Sequence, residues 1–310
     1  MSAFRSNSVK IPPVDGFLPI NKPKGITSHD AVAFARRRLK IRKIGHAGTL
    51  DPMATGVLVL GIGSATRLLE FIQNTEKVYE AEITFGATSS TDDAEGDVKD
   101  FPNSQNFNRA DFEKILPEFI GEIHQIPPQF SALKISGEAA HRIARRGETV
   151  KLKPRLVQIS EIKISKFNFP KVEISVRCGS GTYIRSLARD LGARLEAGAY
   201  LSKLTRTRVG SFEINRALPL RSILPEKIIP IEAGLPLPQI SLTRGEADKV
   251  QNGQKISART SESRVAAFFE DRFLAILVLE DKKHSLKPEK VFPQNLPAEK
   301  LIEFALRKIG

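Results

Sequence analysis

The chain has no tryptophan, three tyrosines, two methionines and one cysteine in 310 residues. A single cysteine, Cys178, excludes an internal disulfide and any zinc site built on several cysteines. It fits a reducing compartment and reads as a small buried hydrophobe at a strand end. The five histidines show no ligand spacing, so no metal is expected. There is no phosphate-cradling glycine-rich loop. No long apolar run stands at the N-terminus or elsewhere, so neither a secretion signal nor a membrane span is expected, and the setting is expected to be cytoplasmic. Eighteen phenylalanines carry most of the aromatic packing, which makes Tyr79, Tyr183 and Tyr200 each worth attention.

Acidic residues are also scarce where they would matter. The net charge is +13, and it is unevenly spread. Residues 1–60 hold ten Lys/Arg against three Asp/Glu, residues 61–125 five against thirteen, and residues 126–215 seventeen against seven. Such segregation points to one basic face, and nucleic acid is the usual partner for it. An anionic membrane is the weaker alternative, because no basic amphipathic anchor stands out.

Within the basic N-terminal stretch lies Gly45-His46-Ala47-Gly48-Thr49-Leu50-Asp51-Pro52. Asp51 is the only acid between Asp30 and Glu70. Two readings stand. Asp-Pro among glycines starts turns. A lone carboxylate in a positive field stays ionised, because opposite charge lowers its pKa, and is then available for chemistry.

The length suggests two domains, or one large domain with an appendage. Residues 1–15 read as a loose tail. Thr27 and Asp30 form a capping-box-like start to a helix ending near Leu39. Strands are expected at Thr55–Leu60, Lys77–Phe85, Gln158–Phe167 and Val172–Cys178, and a short helix at Thr66–Ile72. In the second strand Tyr79, Ala81, Ile83 and Phe85 alternate with Glu80, Glu82 and Thr84, which puts Tyr79 on the apolar face. The acidic stretch Ser89–Asp100 reads as a turn-rich loop. Residues 126–153 break pattern as a basic excursion with a helix carrying Arg142, Arg145 and Arg146. Gly179-Ser180-Gly181-Thr182 precedes a helix from Tyr183 to about Leu195, with Arg185 and Arg189 one turn apart. Pro225–Pro238 is the expected linker. Beyond it come a short helix at Gly245–Gln251, strands at Arg264–Phe269 and Leu274–Leu279, and an amphipathic helix at Pro297–Ile309. The expected class is α+β with mixed, mostly antiparallel sheet.

Taken in order, Lys22-Pro23-Lys24-Gly25-Ile26-Thr27-Ser28-His29-Asp30, the Gly45–Pro52 stretch, Lys77-Val78-Tyr79, Ser131-Ala132-Leu133-Lys134 and Gly181-Thr182-Tyr183-Ile184-Arg185-Ser186-Leu187 resemble the motifs of the TruB family of tRNA pseudouridine-55 synthases. The resemblance implies the pseudouridine synthase sheet with flanking helices over residues 16–232, an RNA-binding insertion at 126–153, and a small PUA-like RNA-binding domain over 238–310. It implies that a T-loop uridine of tRNA becomes pseudouridine without a cofactor, by base flipping. Asp51 would be the nucleophile, attacking either C6 of the base or C1′ of the sugar. Arg185 would pair with it, Tyr79 would stack on the base, and Leu204, before Arg206 and Arg208, would wall the pocket. His46 would take the place of the flipped base. Lys134, Arg142, Arg145 and Arg146 would grip phosphates, and Lys22 and Tyr183 would join the RNA-binding set. Relatives of the family work as guide-dependent subunits of box H/ACA ribonucleoproteins and lack such an insertion, so a stand-alone enzyme with no obligatory protein partner is expected. A protein that only binds or folds tRNA is the other alternative.

Overall fold

The computed structural model describes residues 15–130, 152–280 and 284–292, together with the backbone of 134–135 and 138–139. The loose tail, the helix with Arg142, Arg145 and Arg146, and the helix at 297–309 lie outside the described residues. The chain divides into two compact units, Met1–Ile229 and Pro230–Gly310.

The first unit is built on one mixed sheet. Its strands are β1 (Gly16–Lys22), β2 (Ile44–His46), β3 (Thr55–Ile62), β4 (Lys77–Phe85), β7 (Gly121–Gln125), β10 (Arg155–Asn168), β11 (Lys171–Cys178) and β12 (Ala199–Val209), with short edge pieces. Between β4 and β7 runs a small hairpin, β5 (Ala87–Ser89) with β6 (Val98–Asp100). A second, two-residue hairpin joins β8 (Lys134–Ile135) to β9 (Glu138–Ala139). The main order is β1-β3-β12-β4-β11-β10-β7. All of these pairs are antiparallel except β3 with β12. The class is therefore α+β with mixed, mostly antiparallel sheet. Ser89–Asp100 is only partly the expected loop, since both of its ends are tied into the small hairpin.

Local sequence explains the elements that flank the sheet. Helix α1 (Ser28–Leu39) starts at Thr27, whose side chain accepts from the Asp30 N–H while the Asp30 carboxylate accepts from the Thr27 N–H. That reciprocal pair satisfies two otherwise orphaned donors. Helix α2 (Leu69–Gln73) continues a 3₁₀ turn over Gly63–Leu68, so the short helix expected there is split between two forms. Helix α3 (Arg109–Ile115) repeats the device of α1, with Asn108 and Asp111 as the reciprocal pair. The alternation in β4 holds: Tyr79, Ala81, Ile83 and Phe85 are buried. Phe85 packs edge-on to Phe107 at 4.8 Å, and Phe107 meets Phe112 and Phe167, so phenylalanines do carry the aromatic core. Cys178 ends β11, fully buried, and burial pushes its thiol up to about 11.

The second unit is β-rich. Its sheet runs Gln239–Ser241, Arg264–Phe269, Arg272–Glu280, Ser285–Val291 and Ile256–Ser257, with a helix at Arg244–Gln251. Its core is aliphatic, including Val250, Val265, Leu274 and Leu277.

The parallel contact of β3 with β12 is short, Thr55 opposite Thr205 and Gly56 opposite Arg206. Gly56 has φ 105°, and a Cβ there would lie 2.2 Å from the Arg206 carbonyl oxygen. Only glycine meets both demands. Gly56→Ala should destabilise the unit by roughly 3 kcal/mol or more, since strain at positive φ and a backbone clash add. Chemical denaturation checks this; a midpoint shift worth under about 1 kcal/mol would show that β12 moves aside easily.

Candidate active site

Four segments converge at one end of the sheet. The first is the loop Ala47–Ala54 between β2 and β3. Its Leu50 amide and carbonyl both bond the Ser28 hydroxyl, at 2.9 and 3.1 Å. The Gly25 amide donates to the Pro52 carbonyl at 2.8 Å, and the Ala54 amide to the Asp51 carbonyl at 3.0 Å. The start of α1 and the end of β1 thus hold the turn that presents Asp51. The turn reading of this motif is met, and the turn presents the Asp51 carboxylate.

The second segment is helix α4 (Ile184–Arg194). Its N-cap, Tyr183, has no side-chain cap; instead buried Gln125 clamps the Tyr183 backbone, accepting from its N–H at 2.8 Å and donating to its carbonyl at 3.1 Å. Arg185 follows in the first turn. Its Nε lies 3.0 Å from Asp51 Oδ2, and its Nη2 donates to Asp51 Oδ1 at 3.2 Å. The Nε–H is not aligned with Oδ2 as a hydrogen bond, so the pair is close but not an ideal fork. Nη1 reaches the Thr91 carbonyl at 3.2 Å and Asp93 Oδ2 at 3.4 Å, and Nη2 the Phe130 carbonyl at 3.0 Å.

Asp51 is therefore not a lone carboxylate. Asp93, from the acidic stretch, shares its arginine. The expected lowering of its pKa is also overturned. Burial raises the Asp51 carboxyl above the ordinary aspartate value; Arg185 opposes this, Asp93 adds to it, and Lys22 opposes.

The third and fourth segments are β4 and β12. Arg206 stands directly across from Tyr79, and Leu204 across from Ala81. A register shift between Arg206 and Arg208 marks a bulge beside the site, a common device for re-aiming a side chain. Tyr79 is 8% exposed. Burial raises its phenol, and the neighbouring Arg206 guanidinium pulls it back.

Together these walls enclose a cavity of about 270 Å³, bounded by Gly48–Asp51, Gln73, Lys77, Tyr79, Gly179–Arg185, Leu204 and Arg206. Of the expected residues, Asp51, Tyr79, Tyr183, Arg185 and Leu204 all line it. His46 sits just before, on β2, its ring edge-on to His29 at 5.5 Å; burial lowers it to about 4, leaving it neutral. Lys22 is placed differently from expectation. It is fully buried, and its ammonium donates to the carbonyls of Pro23, Ile26 and Pro52 at 2.9, 2.8 and 3.4 Å. It clamps the Asp51 turn from below and has no proton left for RNA. Lys134 has its backbone in the small hairpin, opposite Ala139, and its side chain lies outside the described residues. Sequence reading missed Asp93, Gln125, and Lys77 and Arg206 as cavity residues. For Arg206 a signal existed, because alternation from Leu204 puts it on the same face. Asp93 and Gln125 carried none.

Among the described residues no cluster of three or more His, Cys, Asp or Glu could hold a metal, and no helix is long and apolar enough to cross a membrane.

Comparison with known proteins completes the picture. Residues 36–184 match the family described as TruB family pseudouridylate synthase (N terminal domain). The chain is 44% identical to tRNA pseudouridine synthase B of Thermobifida fusca (strain YX) over 290 residues, 90% of this chain and 98% of that one. It is 39% identical to the protein of the same name from Staphylococcus aureus (strain MRSA252) over 302 residues, 90% and 99% of the two chains. A chain in the crystal structure of a Cbf5-Nop10-Gar1 complex superposes with a TM-score of 0.69 and 26% identity, covering 90% of this chain and 85% of that one.

In an NMR titration the Asp51 carboxyl carbon should therefore show a midpoint above the ordinary aspartate value of about 3.9. Arg185→Met should move it higher still, because the main opposing charge is gone. A midpoint below the ordinary value in the unaltered protein would mean that ion pairing outweighs burial.

Proposed function

The chain belongs to the TruB family of pseudouridylate synthases, and on that premise we propose that Asp51 is the nucleophile with which it converts uridine 55 in the T-loop of tRNA to pseudouridine. The activity is that of a tRNA pseudouridine synthase, an intramolecular isomerase. The N1–C1′ bond breaks, the uracil turns, and a C5–C1′ bond forms. No electrons are gained or lost overall.

The observation that carries the reading is the Arg185–Asp51 pair at the wall of a cavity lined by Tyr79 and Leu204. A carboxylate can form a covalent intermediate with either C6 or C1′. Arg185 favours its ionised form against the effect of burial and fixes its direction. The Tyr79 ring stacks on the flipped base and Leu204 closes the pocket. Flipping costs a few kcal/mol of stacking, and neutral His46 is suited to replace the base in the loop. Tyr183 contributes to the rim. Phosphate grip is assigned to Lys134, Arg142, Arg145 and Arg146, and further RNA contact to a PUA-like unit at 238–310; Lys22 acts through the turn it clamps. The greater likeness to proteins named tRNA pseudouridine synthase B than to the Cbf5 complex favours a stand-alone enzyme acting where tRNA is found, in the cytoplasm.

Asp51→Asn should abolish conversion, measured as tritium release from C5-labelled uridine in tRNA, while tRNA binding stays within a few-fold. The amide keeps the shape and loses the nucleophile. Turnover at the unaltered rate would remove Asp51 from the chemistry.

Replacing Arg142, Arg145 and Arg146 together by alanine should weaken tRNA binding and reduce the log–log salt slope by roughly two to three units, about one for each arginine that neutralises a phosphate. Modification at excess enzyme should persist. An unchanged slope in a salt series would reassign these arginines to a solvated face.

A further inference from the structure

Among the described residues, two cations in the cavity wall have no carboxylate beside them. Lys77 is 5% exposed and Arg206 1%. The Lys77 ammonium donates to the carbonyls of Gln73 and Thr75, at 2.5 and 2.6 Å. Arg206 donates through Nε to the Val57 carbonyl at 2.8 Å and through Nη2 to the Gly48 carbonyl at 3.1 Å. Every one of these partners is neutral. The other cavity arginine, Arg185, differs, since Asp51 and Asp93 offset its charge.

The strand register brings the two cations together. Lys77 and Tyr79 are two apart on β4 and share a face, and Arg206 lies across from Tyr79. Burying an ion without a counterion costs several kcal/mol. The same low dielectric makes its field strong inside the cavity. The cavity is thus electrically lopsided: the nucleophile and its matched arginine stand on one side, uncompensated positive charge on another.

A preorganised positive pole is most effective against charge that exists only during reaction, and uracil supplies such charge by either route. If Asp51 attacks C6, the C5=C6 electron pair moves through the C4 carbonyl onto O4. If the N1–C1′ bond breaks on attack at C1′, its pair passes to N1 and is shared with O2 and O4. In both, the ring carbonyl oxygens carry charge while C5 bonds C1′ in place of N1; the Asp51 ester bond, to C6 or to C1′, breaks to restore the carboxylate, and the C5 proton leaves while N1 takes one up. No proton need pass from the cations; their N–H groups donate hydrogen bonds.

We propose that Lys77, with Arg206 behind it, is an anion-stabilising pole that holds the negative charge developing on the flipped uracil. This rests on the assignment of Asp51 as nucleophile and deepens it. A phosphate contact is the competing use of such cations, but both lie deep in the wall rather than on an open surface.

The test is single-turnover conversion of tRNA at saturating enzyme with Lys77→Met and Lys77→Arg, alongside tRNA binding across a salt series. Lys77→Met should lower the single-turnover rate by roughly 10²- to 10³-fold, the range for removing one preorganised donor, with Kd within about twofold and an unchanged salt slope. The unaltered enzyme needs no substitution for a second reading. Burial, then Arg206, lower the Lys77 ammonium to about 8, so its rate should fall as pH rises through about 8. Beside Lys77 stand Arg206 on β12, Cys178 on β11, pushed up to about 11, and Tyr79, raised above the phenol value; neither the thiol nor the phenol titrates in that window, whereas Lys22 under the Asp51 turn, lowered to about 8 by burial, does. In Lys77→Arg the share of this basic limb due to Lys77 should move up by more than one pH unit, and any share common to both belongs to Lys22 or to the RNA. A full rate in Lys77→Met overturns the proposal. So does a defect confined to Kd with a flatter salt slope, which marks a phosphate contact, or a basic limb absent from the unaltered enzyme or unmoved in Lys77→Arg. If Asp51→Asn is inactive while Lys77→Met runs at full rate, only the pole fails. If Asp51→Asn itself turns over normally, the nucleophile assignment fails first.

Discussion

One buried guanidinium organises the site. Arg185 touches the turn bearing Asp51, the acidic stretch through Thr91 and Asp93, and the root of the basic excursion through Phe130. It is itself set by a helix start that Gln125 clamps. Three segments distant in sequence are thereby held to one planar group on α4. A guanidinium suits this work, because its five donors point in fixed directions. A lysine keeps the charge but could not hold Asp51, Asp93 and two carbonyls at once.

The balance at Asp51 follows from two large opposing effects. A pair about 3 Å apart attracts by about 5 kcal/mol at an effective dielectric near 20. Removing a carboxylate from water costs several kcal/mol. The sign goes to burial, the largest of these effects, and Asp93 adds to it by repelling what Arg185 attracts. Burial and Asp93 leave the carboxylate less stabilised than a surface aspartate in an ion pair, so less must be undone when it attacks.

What was legible in the sequence was what local rules determine. The Thr27–Asp30 box, the alternation of β4 and the strand limits near Arg264–Phe269 depend on neighbours in the chain. The order of motifs located Asp51, Tyr79 and Arg185, and the fold brings all three to one cavity. What was not legible depends on tertiary approach. Nothing around Asp93 announces that it meets an arginine 92 positions on. Nothing around Lys22 says that its charge is turned inward onto three carbonyls. The competition between burial and charge at Asp51 was settled wrongly from sequence because only the charge is visible there.

Charge segregation along the chain has the same character. The acidic segment does not simply stand apart from the basic one. Glu76 pairs with Arg208 at 2.8 Å and approaches Arg177 at 3.6 Å. Glu82 pairs with Lys203 at 2.6 Å and approaches Lys171 at 3.6 Å, and Asp92 pairs with Arg189 at 2.8 Å. Part of the cluster ending α1 is also engaged, Arg36 on the Ile44 carbonyl and Arg38 on the Ile223 carbonyl. Much of the segregation is therefore sheet and helix electrostatics consumed within the first unit. The more exposed of these pairs contribute little to stability, but all of them matter for RNA binding in another way. A cation already matched by a carboxylate releases fewer counterions when a phosphate arrives. The contacts that grip RNA must come from unmatched cations at the surface; Lys77 and Arg206, unmatched but buried in the cavity wall, are not among them.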